Sequence, residues 1–141
     1  MSNEVILRFD GGSRGNPGLS GAGAVLYVNS EEIMSIIIPF TQQLTNNQSE
    51  YMGLKIGLEE VSKYDYDTIK IEGDSLLVIN QLKGIWKVKN KELQQIHSDI
   101  LKILKKFSKV ELKHIYREDN RRADELANHA MDLVCSGNLK N

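Results

Sequence analysis

Four carboxylates occupy positions from which they could do chemistry: Asp10, Glu50, Asp74 and Asp124. Asp10 closes a run in which Val5, Leu7 and Phe9 alternate with Ile6 and Arg8, and Asp74 closes another that holds Ile69 and Ile71. An acid at the end of an apolar strand is an unlikely buried residue. Glu50 shares a helical stripe with Leu54 and Gly57, which puts it on or beside a packed face. Asp124 is flanked by Ala123 and Ala127, small residues that permit close approach. Each acid alone has a plain structural reading, as a helix cap or a partner of the helix dipole. Four of them converging on one spot would repel, and a divalent cation resolves that repulsion. Hard oxygen ligands with open positions suit magnesium or manganese. Two such ions about 3.5–4 Å apart can hold the attacking water and the leaving oxygen of a phosphodiester.

The elements that must carry these acids follow from periodicity. Alternation predicts a first strand ending at Asp10, then a glycine-rich turn from Gly11 to Gly18. Gly21 to Val28 and Ile33 to Phe40 read as two further strands joined by a polar turn at Asn29-Ser30, with Pro39 marking the end of the third. Thr45-Asn46-Asn47-Gln48 has the form of a capping box, and Tyr51, Leu54, Leu58 and Val61 carry a helix to about Lys63. Thr68 to Gly73 is a fourth strand, and Asp74 to Leu82 a helix that stops at Gly84. Leu93, Ile96, Ile100, Ile103, Leu104 and Phe107 form the apolar stripe of another helix. Val110, Leu112 and Ile115 suggest a fifth strand. Residues from about Asn120 to Val134 form a last helix, with Leu126, Ala127, Ala130 and Leu133 inward. This order implies an α/β fold: a five-stranded mixed sheet, three strands antiparallel and then parallel ones, flanked by helices. The first and fourth strands would then be parallel, and Asp10 and Asp74 would meet at the carboxyl edge of the sheet, where open α/β sheets bind ligands.

The chain has 141 residues, 40% hydrophobic and 26% charged, which fits one globular domain over 1–135 with a polar tail at 136–141. Its net charge of −1 argues against a broadly basic coat protein and against a highly charged disordered chain. The charge is unevenly spread. Residues 81–117 hold ten Lys/Arg and three Asp/Glu, a local +7, while the remaining 8 basic and 16 acidic residues give −8. Trp86 stands among Lys83, Lys87 and Lys89, an arrangement that can lay an aromatic ring on a sugar or base while lysines meet phosphates. Lys102, Lys105, Lys106 and Lys109 read instead as the solvated face opposite the apolar stripe. No apolar run reaches the length of a membrane span, and the first residues lack the pattern of a signal peptide. With Cys135 as the only cysteine, intramolecular disulfides and cysteine zinc clusters are excluded and a reducing cytoplasmic setting is expected.

Four segments together resemble type 1 ribonuclease H. Asp10-Gly11-Gly12-Ser13-Arg14-Gly15-Asn16-Pro17-Gly18 is similar to that family's opening motif and Thr45-Asn46-Asn47-Gln48-Ser49-Glu50 to its second. Gly73-Asp74-Ser75 resembles the third, and Asn120-Arg121-Arg122-Ala123-Asp124-Glu125-Leu126-Ala127 the last. The resemblance covers about residues 4 to 134. It implies the ribonuclease H fold and two-metal hydrolysis of the RNA strand of an RNA/DNA hybrid, leaving 3′-hydroxyl and 5′-phosphate ends. The metal ligands it implies are Asp10, Glu50, Asp74 and Asp124, holding two magnesium ions with manganese as a substitute. His114 matches a histidine that in some members assists proton transfer or product release. Asn16 and Asn46 match readers of RNA 2′-hydroxyls, and Thr45 and Asn47 match positions that can hold a DNA-strand phosphate. Backbone along Gly11, Gly12, Ser13 and Arg14 would touch the polynucleotide. His97 and His129 have no such match and read as structural or surface residues.

Two departures bear on substrate. Leu76 stands where many members have Gln, which removes one polar contact, and the region from Lys83 to Lys91 is too short for the long basic insertion that some members carry. The expected partner is an RNA/DNA hybrid, with double-stranded RNA as a further substrate, no membrane, and a monomeric state. The competing readings are a catalytically weak hybrid-binding module and a nuclease of the same fold acting on double-stranded RNA or DNA.

Overall fold

The structure, a computed structural model, describes residues 4–135. The polar tail expected at 136–141 lies outside the described residues. Five strands form one mixed sheet in the order β3-β2-β1-β4-β5. β1 (Glu4–Arg14) is central. It pairs antiparallel with β2 (Gly18–Val28), which pairs antiparallel with β3 (Glu31–Leu44). On its other side β1 runs parallel to β4 (Thr68–Gly73), and β4 runs parallel to β5 (Lys109–His114). The helices are α1 (Asn46–Val61), α2 (Leu76–Leu82), α3 (Lys91–Leu104) and α4 (Arg121–Cys135), the last preceded by a 3₁₀ turn at Arg117–Asp119.

The sheet is apolar where it meets the helices. Val5, Leu7 and Phe9 of β1 and Ile69 and Ile71 of β4 are fully buried, packed with Leu54 and Leu58 of α1 and Ile100 of α3. Each such side chain stabilises the fold by about 1.5–3 kcal/mol. The other face of β2 meets α4, where Val25 packs with Ala123 and Leu126. Thr45 caps α1 through a full capping box: its hydroxyl accepts from the Gln48 N–H, and the Gln48 amide oxygen accepts from the Thr45 N–H. Asn29 and Ser30 both adopt positive φ, 52° and 68°. This gives the β2–β3 hairpin the twist its two-residue turn requires.

Several boundaries differ from the sequence reading. The glycine-rich segment is not a turn from Gly11 to Gly18. β1 continues through Gly11–Arg14, because β2 pairs with it as far as Arg14↔Leu19, and only residues 15–17 turn. β2 accordingly begins at Gly18 and not at Gly21. Pro39 does not end β3. The strand runs to Leu44, and a proline is tolerated there because β3 is an edge strand with one side unpaired. Asp74 precedes its helix, which Ser75 caps by accepting from the Val78 N–H. Phe107 lies beyond the end of α3 and Ile115 beyond the end of β5, although both are buried. On α4 it is Met131, not Leu133, that is buried with Ala130.

Candidate active site

Parallel pairing of β1 with β4 places Phe9 beside Gly73, so the next residues, Asp10 and Asp74, emerge side by side at the carboxyl edge. Glu50 reaches them from near the start of α1, because Gly11 lets that helix lie directly on β1. A Cβ on Gly11 would come within 2.5–2.6 Å of the Ser49 and Glu50 backbone, so no other residue allows this approach. Ligand oxygens of Asp10, Glu50 and Asp74 all lie within 4.8 Å of one another. Asp124 stands on the first turn of α4, which glycines of β2 admit in the same manner. A Cβ on Gly23 would meet Leu126 and the backbone of Ala123 and Ala127 within 2.5–2.8 Å. Asp124 lines the same open cavity of about 610 Å³.

These carboxylates are poorly solvated. Asp10 and Glu50 are 7% and 8% exposed. Burial, reinforced by the charge of Asp74, pushes the Asp10 carboxyl up to about 7. Burial, then the charge of Asp10, holds Glu50 well above the ordinary carboxylate range, and burial also raises Asp74. Glu50 Oε2 is buried without a hydrogen-bond partner in the protein. Mutual repulsion together with an orphaned buried carboxylate oxygen is costly, and a cation compensates both. An all-oxygen donor set that opens onto solvent therefore fits a hard divalent ion.

Other residues hold this arrangement in place. Asn120, itself buried, donates from Nδ2 to the Phe9 carbonyl at 2.9 Å, and its backbone carbonyl accepts from the Asp124 N–H. Its side chain also acts on the Asp74 carboxyl, lowering that group's pKa against the larger effect of burial. One residue thus ties the strand that carries Asp10 to the helix that carries Asp124. Arg8 adds a brace: its Nε pairs with buried Glu72 at 2.8 Å, and its Nη1 reaches the Asp119 carbonyl at 3.4 Å. Sequence reasoning assigns neither Asn120 nor Arg8 a role at the site. Asn120 does carry a usable signal, a cap-type residue four positions before an inward acid.

His114, Asn46 and Gly11, Gly12, Ser13 and Arg14 also line the cavity, together with Tyr116, Arg117 and Asn128. His114 is the last residue of β5. Its Nε2 lies 3.3 Å from the Asp74 carbonyl. A carbonyl can only accept, so that nitrogen is the donor. The Arg117 guanidinium, largely exposed, lies 3.8 Å from Asp124. Asn16 and Asn46 meet: Asn16 Oδ1 accepts from the Asn46 N–H at 2.9 Å, and Asn46 Oδ1 accepts from the Ser13 N–H at 2.7 Å. Both side-chain oxygens are thus engaged within the loop. The Thr45 hydroxyl serves its cap, while Asn47 is exposed beside it. Arg14 turns toward α4 and pairs with Asp132 at 2.7 Å. Lys83, Trp86, Lys87 and Lys89 do not line the cavity. They stand on the segment between α2 and α3, toward solvent. His97 packs edge-on against Tyr51, and His129 is exposed.

A family model described as "Reverse transcriptase-like" matches residues 8–130. The ribonuclease H of Pseudomonas savastanoi pv. phaseolicola is 31% identical over 147 residues, covering 95% of this chain and 97% of that protein. The chain belongs to the ribonuclease H family. A bifunctional protein of Mycobacterium tuberculosis is 36% identical over 135 residues, and this chain spans 36% of its length. The solved N-terminal RNase H domain of that mycobacterial protein superposes with a TM-score of 0.91 at 34% identity, covering 96% of this chain and 99% of the solved one. LC11-RNase H1, solved in complex with an RNA/DNA hybrid, gives a TM-score of 0.86 at 32% identity, covering 93% and 99%. The five-stranded mixed sheet of this chain is therefore the family's fold.

Proposed function

We propose that this chain is an endonuclease that hydrolyses the RNA strand of RNA/DNA hybrids, leaving 3′-hydroxyl and 5′-phosphate ends. The observation that carries the reading is the convergence of Asp10, Glu50 and Asp74 within 4.8 Å at the open edge of a ribonuclease H sheet, with Glu50 Oε2 unpartnered. The complex of LC11-RNase H1 with a hybrid supports the substrate class.

Asp10, Glu50, Asp74 and Asp124 would hold two divalent cations, magnesium or manganese, which would supply an acidified water and charge neutralisation at the scissile phosphate. The chain does the rest. Gly11 and Asn120 fix the carboxylates before substrate arrives, so little reorganisation is needed during reaction. His114 keeps one ring nitrogen on the Asp74 carbonyl and leaves the other free to hold or release a proton at the cavity wall. Asn16 and Asn46, their oxygens engaged, offer amide N–H groups as donors to a 2′-hydroxyl. The exposed α1 start, with Thr45 and Asn47, faces a DNA-strand phosphate, and Lys83, Trp86, Lys87 and Lys89 grip the backbone farther from the cavity. We place the catalytic domain at residues 1–135 and read the protein as a cytoplasmic monomer. Among the described residues no helix is long and apolar enough to cross a membrane.

The test is a labelled hybrid incubated with magnesium or manganese in turn. Cleavage of the RNA strand is expected, and its absence with both metals would refute the enzyme reading. A second reading, binding with weak turnover, draws on Leu76, which is 46% exposed at a position where many members of the family carry Gln. Tight hybrid binding without metal-dependent turnover would favour it. Parallel assays on double-stranded RNA and DNA set the strictness of substrate choice.

A further inference from the structure

The segment from Lys83 to Asn90 has no regular secondary structure, yet it is tied down along its length. The Gly84 N–H bonds the Gln81 carbonyl, and the Ile85 and Trp86 N–H groups both bond the Asn80 carbonyl at 2.9 and 3.2 Å. Two glutamine side chains then hold its carbonyls. Gln81 Nε2 donates to Lys87 at 3.4 Å, and Gln94 Nε2 of α3 donates to Val88 at 3.0 Å.

Gln81 is the unusual member. It is 7% exposed, on the buried face of α2 with Val78, Ile79 and Leu82. An apolar residue would serve packing there, since a buried amide stabilises nothing unless it is bonded. Its side-chain oxygen, side-chain nitrogen and backbone carbonyl reach three different elements. Oε1 accepts from the Tyr51 hydroxyl of α1, Nε2 serves the loop, and the backbone carbonyl faces His97 Nε2 of α3 at 3.2 Å. The Tyr51 and His97 rings meet edge-on at 6.4 Å. Tyr51 directly follows Glu50, so this buried network runs from the start of α1 to the backbone that carries Trp86 and its lysines.

We propose that Gln81 is a positioning residue for substrate: its buried amide fixes the 83–90 loop to α1, so that Trp86, Lys87 and Lys89 meet a nucleic-acid backbone in one arrangement. This rests on the reading that the chain binds hybrid through that loop. A preset loop binds without first ordering itself, so it raises affinity and leaves the chemical step alone.

Trp86 is the only tryptophan in the chain, so its fluorescence reports this loop directly, without substrate or metal. The test compares wild type with Gln81→Met, which keeps the volume and removes both side-chain hydrogen bonds, and with Gln94→Ala on the exposed side. In folded Gln81→Met, Trp86 anisotropy should fall and acrylamide quenching rise. KM for hybrid should rise about tenfold, with kcat within about twofold of wild type. Gln94→Ala should shift the same readouts in the same direction by less. Unchanged Trp86 anisotropy in folded Gln81→Met overturns the proposal. So does a freed Trp86 with unchanged KM, or a loss confined to kcat. If Gln81→Met does not fold, Gln94→Ala decides. If wild type cleaves no hybrid at all, the functional reading fails, while Trp86 anisotropy still decides whether Gln81 sets the loop.

Discussion

The acidic edge of the sheet and the basic 83–90 loop are built on opposite terms. The edge is half-buried, made of like charges, and held by backbone contacts so close that only glycine fits at Gly11 and Gly23. The loop is exposed, carries the opposite charge, and is held by side-chain amides and a few turn hydrogen bonds. The difference fits the role proposed for each. Carboxylates that share a cation need positions fixed to a fraction of an ångström, and they repel until it arrives. A phosphate backbone is met by charge and area, which tolerate small shifts. The first region gives up stability for placement, and the second gives up little.

The largest effect should come from breaking the acidic edge at its centre. Asp10→Asn or Asp74→Asn should lower hybrid cleavage on the order of a thousandfold or more, because several kcal/mol of transition-state stabilisation depend on the bound cation. Without metal the same variants should melt higher than wild type, because one repelling, poorly solvated charge is gone. Magnesium should raise the melting temperature of wild type and have little effect on Asp10→Asn. A variant that is inactive but no more stable without metal would show that the carboxylates do not strain the fold.

Next in size is the contact that places Glu50. Gly11→Ala sets a methyl group against the Ser49 and Glu50 backbone. Overpacking of this kind costs about 1–3 kcal/mol. If α1 retreats, Glu50 goes with it, and a displacement of about 1 Å at a catalytic group lowers rate about a hundredfold. Thermal unfolding and kcat, measured on one preparation, separate the two effects. Retained activity would mean that Glu50 reaches its partners without the close approach.

The loop should yield more gently. Lys87→Ala with Lys89→Ala should weaken hybrid binding and flatten the plot of log affinity against log salt by about 2, roughly one for each lysine that no longer meets a phosphate. kcat at saturating hybrid should stay near wild type. An unchanged salt slope would remove this loop from the interface and leave its lysines as surface charge.

How legible each region is in the sequence follows from the same contrast. Asp10 and Asp74 can be read because an acid after an alternating apolar run has few structural excuses, and parallel strands bring such ends together. The Thr45 capping box is legible because it is local. Glycines are legible as breakers, and that is why the segment after Asp10 reads wrongly as a turn. Gly11 and Gly12 belong to β1, and what makes Gly11 necessary is the backbone of Ser49 and Glu50 on α1, a distant partner that no local pattern encodes. Pro39 misleads for a related reason: only the sheet order reveals that its strand is an edge. Gln81 and Asn120 look like ordinary polar residues of helical segments. Their roles lie in partners on other elements, Tyr51 and Lys87 for one and Phe9 for the other.

The smallest effect to seek is pH dependence at the acidic edge without metal. Asp10 titrates at about 4 in the unfolded chain. In the folded chain it is pushed up to about 7. The folded state therefore binds the proton more tightly, and stability must fall as pH rises between those values. Below about 4 both states are protonated and the effect vanishes. Above about 7 both are charged and it reaches a constant penalty. Glu50, raised for the same causes, adds in the same direction. In EDTA, the melting temperature of wild type minus that of Asp10→Asn should thus become more negative from pH 5 to pH 8, by on the order of 5 °C. Taking the difference cancels acids elsewhere that titrate alike in both proteins. Saturating magnesium should flatten the curve, since a bound cation keeps the carboxylates charged at lower pH and removes their repulsion. A difference that stays flat in EDTA would mean that water already solvates these groups, and that the acidic edge is no more strained than the loop it was compared with.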